Sequence, residues 1–564
     1  MQDEIERWKK PPFDEQTKAE IERLEKENPD ELRDCFSHKL AFGTGGIRGL
    51  MGVGIARLNA YTIQVATQGL ANYIQKNGTK KNPSVFISHD SRNRSREFAV
   101  AAAQVLAGNG IKAILTKELR PTPFVSFGCR ANDCQAGIMI TASHNPPEYN
   151  GYKVYWEDGA QVTAPHDAGI VEEVGKLTID DVKVAEETDP LITLAPDSLD
   201  QEYLKAIRPQ ALHEKENQTH GKDLTIVYTP LHGCGGTLTP RALADWGFTT
   251  VVPVKEQIAP DGSFPTTKTP NPEDHAALTL GVETLKRENG DILLATDPDA
   301  DRLACVVNHN GEIRYLTGNQ TAAIILEHRL RTLKDQKKLP QNGAVVSTIV
   351  STRLLEFISN SYHMDYFDVL TGFKYIGGKI REWETSSNHY DFLFGAEESI
   401  GYLIGTHSRD KDAIVSACVL SEIALDAKRQ NRTLIDCLTA IYEKYGVFYE
   451  MQKVIAFPPS ANTMDAMNEQ VDTLRKEGLQ KLGSYSVMET TDYAGENTGL
   501  PKSNVLRHKF NNNATLLIRP SGTEPKIKIY GQIQGAKNSS IEHTSQVLEA
   551  TISEMAELIA KRLS

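Results

Sequence analysis

Short apolar runs that stop at polar, Gly- or Pro-rich loops recur along the chain, and a helical stretch usually follows each one. The runs are Val85–Ser88 before HDSRNRS, Ala136–Ile140 before TASHNPP, and Leu224–Tyr228 before TPLHGCGG. Further along, Ile292–Ala295 precedes TDPDADR, Val345–Val350 precedes STR, and Phe392–Phe394 precedes GAEESIG. Strands alternating with helices predict α/β layers with mainly parallel sheets covered on both faces. Ligands of such sheets collect at the carboxyl ends of the strands, where all the unusual loops lie.

The two ends differ. Asp14 to Leu40 is helical in pattern and charged, with Pro29 dividing it into two short helices. Near the other end, NATLLIRPSGTEPKIKIYGQI reads as strand, loop, strand. Ala536 to Ser564 then reads as an amphipathic helix with Leu548, Ile552, Met555 and Ile559 on one face. The fold expected is α/β: three similar α/β domains with mixed, mainly parallel sheets, plus a smaller C-terminal α+β domain. Charged, weakly patterned stretches near 176–222 and 326–342, and Pro458-Pro459, suggest the divisions. They give a helical N-terminal extension over 1–40, α/β domains over 41–210, 211–325 and 326–455, and the α+β domain over 456–564.

Length and composition narrow the function classes. At 564 residues and 40% hydrophobic content the chain can bury several cores. Lys and Arg number 62 against 74 Asp and Glu, a net charge of −12, which argues against nucleic-acid binding. An acidic protein can still hold an anionic substrate if its cations gather in one place. No apolar run reaches membrane-spanning length, and MQDEIERWKK has no apolar signal core. Seven scattered cysteines without a CxxC pair suggest reduced thiols in a cytoplasmic protein.

Four loops carry candidate chemistry. In TASHNPPEYNGYK, Ser143 stands on a stiff strand-end loop and can be a nucleophile if something takes its proton. A Ser-His pair alone also fits a polar turn. In DPDADR, Asp297, Asp299 and Asp301 alternate directly after an apolar strand and can converge on a hard divalent cation. Mg²⁺ suits a few carboxylates plus a phosphate oxygen. A calcium EF-hand is rejected, because Arg302 and Asn308 stand where Gly and Glu are needed. In GAEESIGY, Glu397 and Ser399 could accept from and donate to sugar hydroxyls, although an exposed acidic turn fits equally. In RPSGTEPK, Arg519 offers a bidentate fork, Ser521 and Thr523 add hydroxyls, and Gly522 opens the backbone to a phosphate; a surface hairpin is the alternative. GTGGIRG adds Arg48 but lacks the third glycine and preceding strand of a dinucleotide-binding loop.

Taken in order, GTGGIRG, TASHNPPEYNGYK, DPDADR, TGFKYIG, GAEESIGY and RPSGTEPK resemble the α-D-phosphohexomutase family, and the resemblance spans nearly the whole chain. It is nearest the branch holding bacterial α-phosphoglucomutases and phosphopentomutase-like enzymes. The resemblance implies four domains around a central cleft and an intramolecular phosphotransferase of the isomerase class. Glucose 1-phosphate and glucose 6-phosphate are the first-choice substrates, through a phosphoserine enzyme and glucose 1,6-bisphosphate. Mannose or pentose phosphates and bisphosphate synthesis are alternatives, and a metal-dependent sugar phosphatase is a more distant one. It further implies that Ser143 carries the phosphoryl group and that Asp297, Asp299 and Asp301 bind Mg²⁺ together with a phosphoserine oxygen. Lys153, His144, Arg302 and Arg48 would line the reacting centre. Lys153 is expected as acid/base if neighbouring cations lower its pKa, with His144 as runner-up. Thr371, Gly372, Glu397, Ser399 and Lys411 would meet the sugar phosphate, and Arg519, Ser521, Gly522 and Thr523 the phosphate that is not reacting. Ala396 departs from many members and does not choose the sugar.

Overall fold

A computed structural model of the chain describes residues 1–40, 42–43, 45–387, 389–457, 463–495, 498–521, 526–535 and 540–563. They form two compact units. The first comprises Met1–Leu316, Phe373–His389 and Gly401–Lys428; the second comprises Thr317–Gly372, Tyr390–Ile400 and Arg429–Ser564.

The first unit opens with three helices, Gln2–Trp8, Glu15–Glu27 and Pro29–Cys35. The last two are the pair expected from Pro29, which takes the first-turn position that needs no N–H donor. Asn28 closes one helix and caps the next by accepting from Glu31 N–H, a contact worth about 1 kcal/mol. The helices bury their own small core, with Trp8, Phe13, Leu24 and Phe36 packed against Tyr61 and Ile55.

Behind this cap lies a mixed six-stranded sheet in the order Gly46–Leu50, Tyr149–Trp156, Ala136–Ile140, Ser84–His89, Lys112–Leu115, Ile192–Leu194. The last four run parallel, and the first two are antiparallel to their neighbours. Ala136–Ile140 has the bounds its apolar run predicts, and all five residues are buried. Two findings differ from the sequence reading. Lys153, expected on a stiff loop, lies within the strand Tyr149–Trp156, because Tyr149, Tyr152, Val154, Tyr155 and Trp156 supply strand-favouring side chains around it. GIRGL forms the edge strand, with Arg48 opposite Gly151. Gly46 makes this pairing possible: its φ is +136°, and a Cβ there would stand 1.9 Å from the Tyr152 carbonyl oxygen.

A second sheet, in the order Glu312–Leu316, Leu303–His309, Ile292–Thr296, Ile226–Thr229, Val251–Pro253, carries the aspartate loop between two antiparallel buried strands.

In the second unit, Asp365–Val369, Gly343–Thr348 and Asp391–Glu397 pair in parallel, with Gly343–Thr348 in the middle. The expected division at 325/326 falls inside the helix Gly318–Asp335, whose buried face is continuous across it. The C-terminal sheet is antiparallel, in the order Phe448–Ala456, Lys526–Gln534, Ala514–Pro520, Leu506–Phe510, Tyr485–Asp492, Lys481–Leu482. The helix Ile541–Leu563 buries Leu548, Ile552, Met555 and Ile559, the face expected from the sequence. The architecture is therefore three α/β layers and a distinct antiparallel α+β layer. No described helix is long and apolar enough to cross a membrane, and all seven cysteines are free thiols.

Candidate active site

Ser143 begins the turn after the buried strand Ala136–Ile140, and its side chain is almost entirely covered. Its φ is +51°, in the left-handed region that a side chain disfavours. Thr141 Oγ1 accepts from Ser143 N–H at 2.8 Å and helps hold this turn. Ser143 Oγ donates to Asp297 Oδ2 at 2.6 Å and lies 3.1 Å from His144 Nδ1. The serine loop and the aspartate loop, 154 residues apart in sequence, thus meet through their reactive atoms.

Asp297, Asp299 and Asp301 are buried, and each brings a carboxylate oxygen within 4.8 Å of the others. Two such charges repel by roughly 3 kcal/mol at an effective dielectric of about 20. Lys153 Nζ answers Asp299 Oδ2 at 2.8 Å and Asp301 Oδ2 at 3.1 Å; Lys411 Nζ approaches Asp301 Oδ2 at 2.9 Å. Thr122 Oγ1 donates to Asp299 Oδ2 at 2.7 Å. Arg302 Nε adds a third cation, 3.8 Å from Asp301 Oδ1. Burial, then Asp299 and Asp301, pushes the Asp297 carboxyl well above its ordinary range. Burial opposes ionisation of Asp299 as well, but Lys153 and the hydrogen bonds hold it low. Asp299 Oδ1 and Asp301 Oδ1 are buried and accept no hydrogen bond among the described residues. Three convergent oxygen donors, two of them with a second oxygen that accepts no hydrogen bond among the described residues, fit a hard divalent cation.

The remaining groups expected at the centre collect in the same unit. Arg302 N–H donates to Asp297 Oδ1 at 3.0 Å, and its guanidinium reaches Glu273 Oε2 at 3.4 Å. Arg48 Nη1 donates to Asn145 Oδ1 at 3.0 Å, beside the serine. Lys153 departs from the expected electrostatics. Burial does lower its pKa and Lys411 acts in the same direction, but Asp299 and Asp301 outweigh both and hold it above its ordinary value. His144 shifts the other way: burial, then Arg302 and Arg48, holds it well below its ordinary value and leaves a neutral ring.

The second unit holds the other expected residues. Glu397 ends the strand Asp391–Glu397, and its Oε1 accepts from Gly372 N–H at 2.9 Å. Thr371, next to it, has a buried Oγ1 with no hydrogen-bond partner among the described residues. Ser399 is half-buried, two residues beyond Glu397. Arg519 lies on the strand Ala514–Pro520, and Ser521 N–H donates to Lys526 O at 2.8 Å. Gly522 and Thr523 lie outside the described residues. Tyr530 links the two loops electrostatically. Burial, then Glu398, pushes its hydroxyl up to about 12, while Arg519, its hydrogen-bond partner, opposes the shift.

Several participants carried no readable signal. Thr122 opens a helix whose sequence gives no hint of the distant Asp299. Tyr155 OH donates to Asp410 Oδ2 at 2.8 Å, and Asp410 Oδ1 accepts from Lys411 N–H, supporting the lysine from behind. The Thr122–Asp299 and Tyr155–Asp410 pairings are long-range, so no local spacing encodes them.

The phosphoglucomutase/phosphomannomutase alpha/beta/alpha domain models match this chain at residues 39–179 for domain I, 201–311 for domain II and 317–445 for domain III. A phosphoglucomutase of Staphylococcus aureus (strain bovine RF122 / ET3-1) is 34% identical over 542 residues, covering 94% of this chain and 95% of the relative. A phosphoglucomutase of Staphylococcus epidermidis is 35% identical over 518 residues, covering 89% and 92%. Among solved structures, a phosphoglucomutase/phosphomannomutase family protein of Burkholderia thailandensis superposes with a TM-score of 0.68 at 17% identity, covering 93% of this chain and 97% of that one. The open form of Paramecium parafusin, a phosphoglucomutase, superposes with a TM-score of 0.69 at 18% identity, covering 92% and 95%. These two share the fold. With three domain models matched in order and relatives similar along almost their whole length, the chain belongs to the phosphoglucomutase/phosphomannomutase family of α-D-phosphohexomutases.

Proposed function

We propose that this protein interconverts α-D-glucose 1-phosphate and glucose 6-phosphate, with Ser143 as phosphoryl carrier and glucose 1,6-bisphosphate as the intermediate. The observation that carries the reading is the 2.6 Å contact between Ser143 Oγ and Asp297 within a buried cluster of three aspartates. The full-length similarity to phosphoglucomutases supports the choice of sugar.

In the forward half-reaction a free sugar hydroxyl attacks the phosphorus of phosphoserine 143. A new P–O bond forms as the P–Oγ bond breaks, and that electron pair stays on Ser143 Oγ. His144, neutral and 3.1 Å from Oγ, is placed to move a proton between the hydroxyl and the serine oxygen. Lys153 and Arg302 remain charged donors that offset the negative charge of the transferring group. The second half-reaction reverses these steps with the other phosphate of the bisphosphate. Asp297, Asp299 and Asp301 would hold Mg²⁺, which supplies electrostatic stabilisation of the phosphoryl oxygens. In the second unit, Glu397, Ser399, Thr371 and Gly372 would grip sugar hydroxyls, and the Arg519–Thr523 loop would hold the phosphate that is not reacting. Lys411 would add a donor to the substrate. Free cysteines throughout suit a cytoplasmic enzyme.

The test is a panel of sugar 1-phosphates assayed with Mg²⁺ and trace bisphosphate. Glucose 1-phosphate should give the highest kcat/KM, with no accumulation of inorganic phosphate. A higher value for a mannose or pentose phosphate would move the assignment within the family, and net phosphate release would replace transfer by hydrolysis.

A further inference from the structure

The loop HDSRNRS after the strand Ser84–His89 takes no part in the chemistry above, yet it holds a fully buried ion pair. The side chains of Asp90 and Arg92 are both inaccessible, with Arg92 Nε 3.4 Å from Asp90 Oδ2. Burying such charges is costly unless their hydrogen-bonding capacity is used. Here it is used on one short segment. Arg92 Nη1 donates to Pro146 O at 2.8 Å and to Tyr149 O at 3.0 Å. Arg92 Nη2 donates to Ser143 O at 2.6 Å and to Asn145 O. All four terminal N–H groups of one guanidinium therefore meet carbonyls of residues 143–149, while Nε and Asp90 Oδ2 form an ion pair with no hydrogen bond among the described residues.

The clamp is itself braced. Asp90 Oδ1 accepts from Arg92 N–H at 2.9 Å and from Ser95 Oγ at 2.8 Å, and Asp90 N–H donates to Ile140 O on the strand that carries the serine. The Phe264 ring covers the guanidinium, with its centroid 5.0 Å from Cζ. Gly262 lets this second loop close in, since a Cβ there would come within 2.3 Å of Asn93 N.

We propose that Arg92 is a positioning residue: through four carbonyls it sets the backbone of residues 143–149 so that Ser143 Oγ stays aligned with the aspartates. The physical need is plain. Ser143 occupies a left-handed backbone conformation that a loop left to itself would relax, and misplacing a reacting atom by about 1 Å costs on the order of 10²-fold in rate. Lysine cannot replace this arginine, because an ammonium has three donors and no planar fork. The inference rests on Ser143 as the phosphoryl carrier.

Kinetics and intact-mass measurement of Ser143 phosphorylation on R92K, R92A and F264L test it. R92K should lower kcat about 10²-fold while KM moves less than about threefold. R92A should fall further, and added guanidinium ion should restore at least about tenfold, a rescue that general destabilisation does not produce. F264L should lower kcat severalfold at unchanged KM, which keeps the test alive if R92A fails to fold. R92K at wild-type kcat, or folded R92A that guanidinium does not restore, would overturn the role of Arg92. Absence of phosphate on wild-type Ser143 after treatment with bisphosphate, together with an active S143A, would instead take down the phosphoserine reading itself.

Discussion

In the first unit Asp299 Oδ2 accepts from both Thr122 and Lys153, Asp301 Oδ2 meets both Lys153 and Lys411, and Ser143 Oγ is tied to Asp297. In the second unit Thr371 Oγ1 is buried without a partner among the described residues, and Glu397 meets a backbone N–H at Gly372, whose φ is +124°. The first arrangement is held in place by its own side chains, with Asp299 Oδ1 and Asp301 Oδ1 left open for a cation; the second keeps a hydroxyl in reserve. Bond making requires atoms held in place before the substrate arrives. Under the proposed function, a loop that accepts a sugar phosphate in two orientations would gain from groups that the ligand itself completes.

That contrast breaks most readily at Ser143. Replacing it by alanine should lower kcat by on the order of 10⁴-fold or more, checked by a coupled glucose 6-phosphate assay. Asp299→Asn should cost about 10²–10³-fold in kcat and weaken Mg²⁺ activation, read from a metal titration of the chelated protein. In the second unit the signature should differ. Glu397→Gln should raise KM for the sugar phosphate about tenfold with kcat changed less than about threefold, because a charge-assisted binding contact is lost and the reacting atoms are untouched. A comparable loss of kcat in Glu397→Gln would erase the distinction between the two regions.

The smallest expected effect concerns stability. Burial lifts Glu450 from 4.5 to about 7, against its hydrogen bonds with Thr352 and Asn319. The folded state therefore retains a proton that the unfolded state releases, and stability falls as pH rises through that window. Glu450→Gln should leave Tm unchanged near pH 5 and raise it by on the order of 2–4 °C at pH 8, measured by calorimetry.

Much of this layout is legible in the sequence, for reasons that differ by region. The strands Ala136–Ile140 and Ile292–Thr296 are buried on both faces, so their apolar runs stand out and their ends point to the chemistry. DPDADR announces its chemistry because its three carboxylates are local. Lys153 was harder: the prolines before it suggest a turn, while its strand is fixed by pairing with Ala136–Ile140 and Gly46–Leu50. The Arg92 clamp and the Thr122 contact were invisible, since each joins segments separated by at least 51 residues. The direction of the Lys153 shift is not legible in the sequence, because its sign depends on which of several buried charges lies nearest.

The left-handed turn at Ser143 has a consequence for anyone seeking a more robust protein. Glycine adopts such a conformation with no steric penalty, whereas a side chain is typically disfavoured there by roughly 1–2 kcal/mol. Under the proposed phosphoserine mechanism, selection for heat resistance alone would push this position toward a residue with no oxygen to carry phosphate. Libraries screened for melting temperature should therefore hold position 143 constant, because the oxygen proposed to carry phosphate stands at a place where thermodynamic optimisation favours losing it.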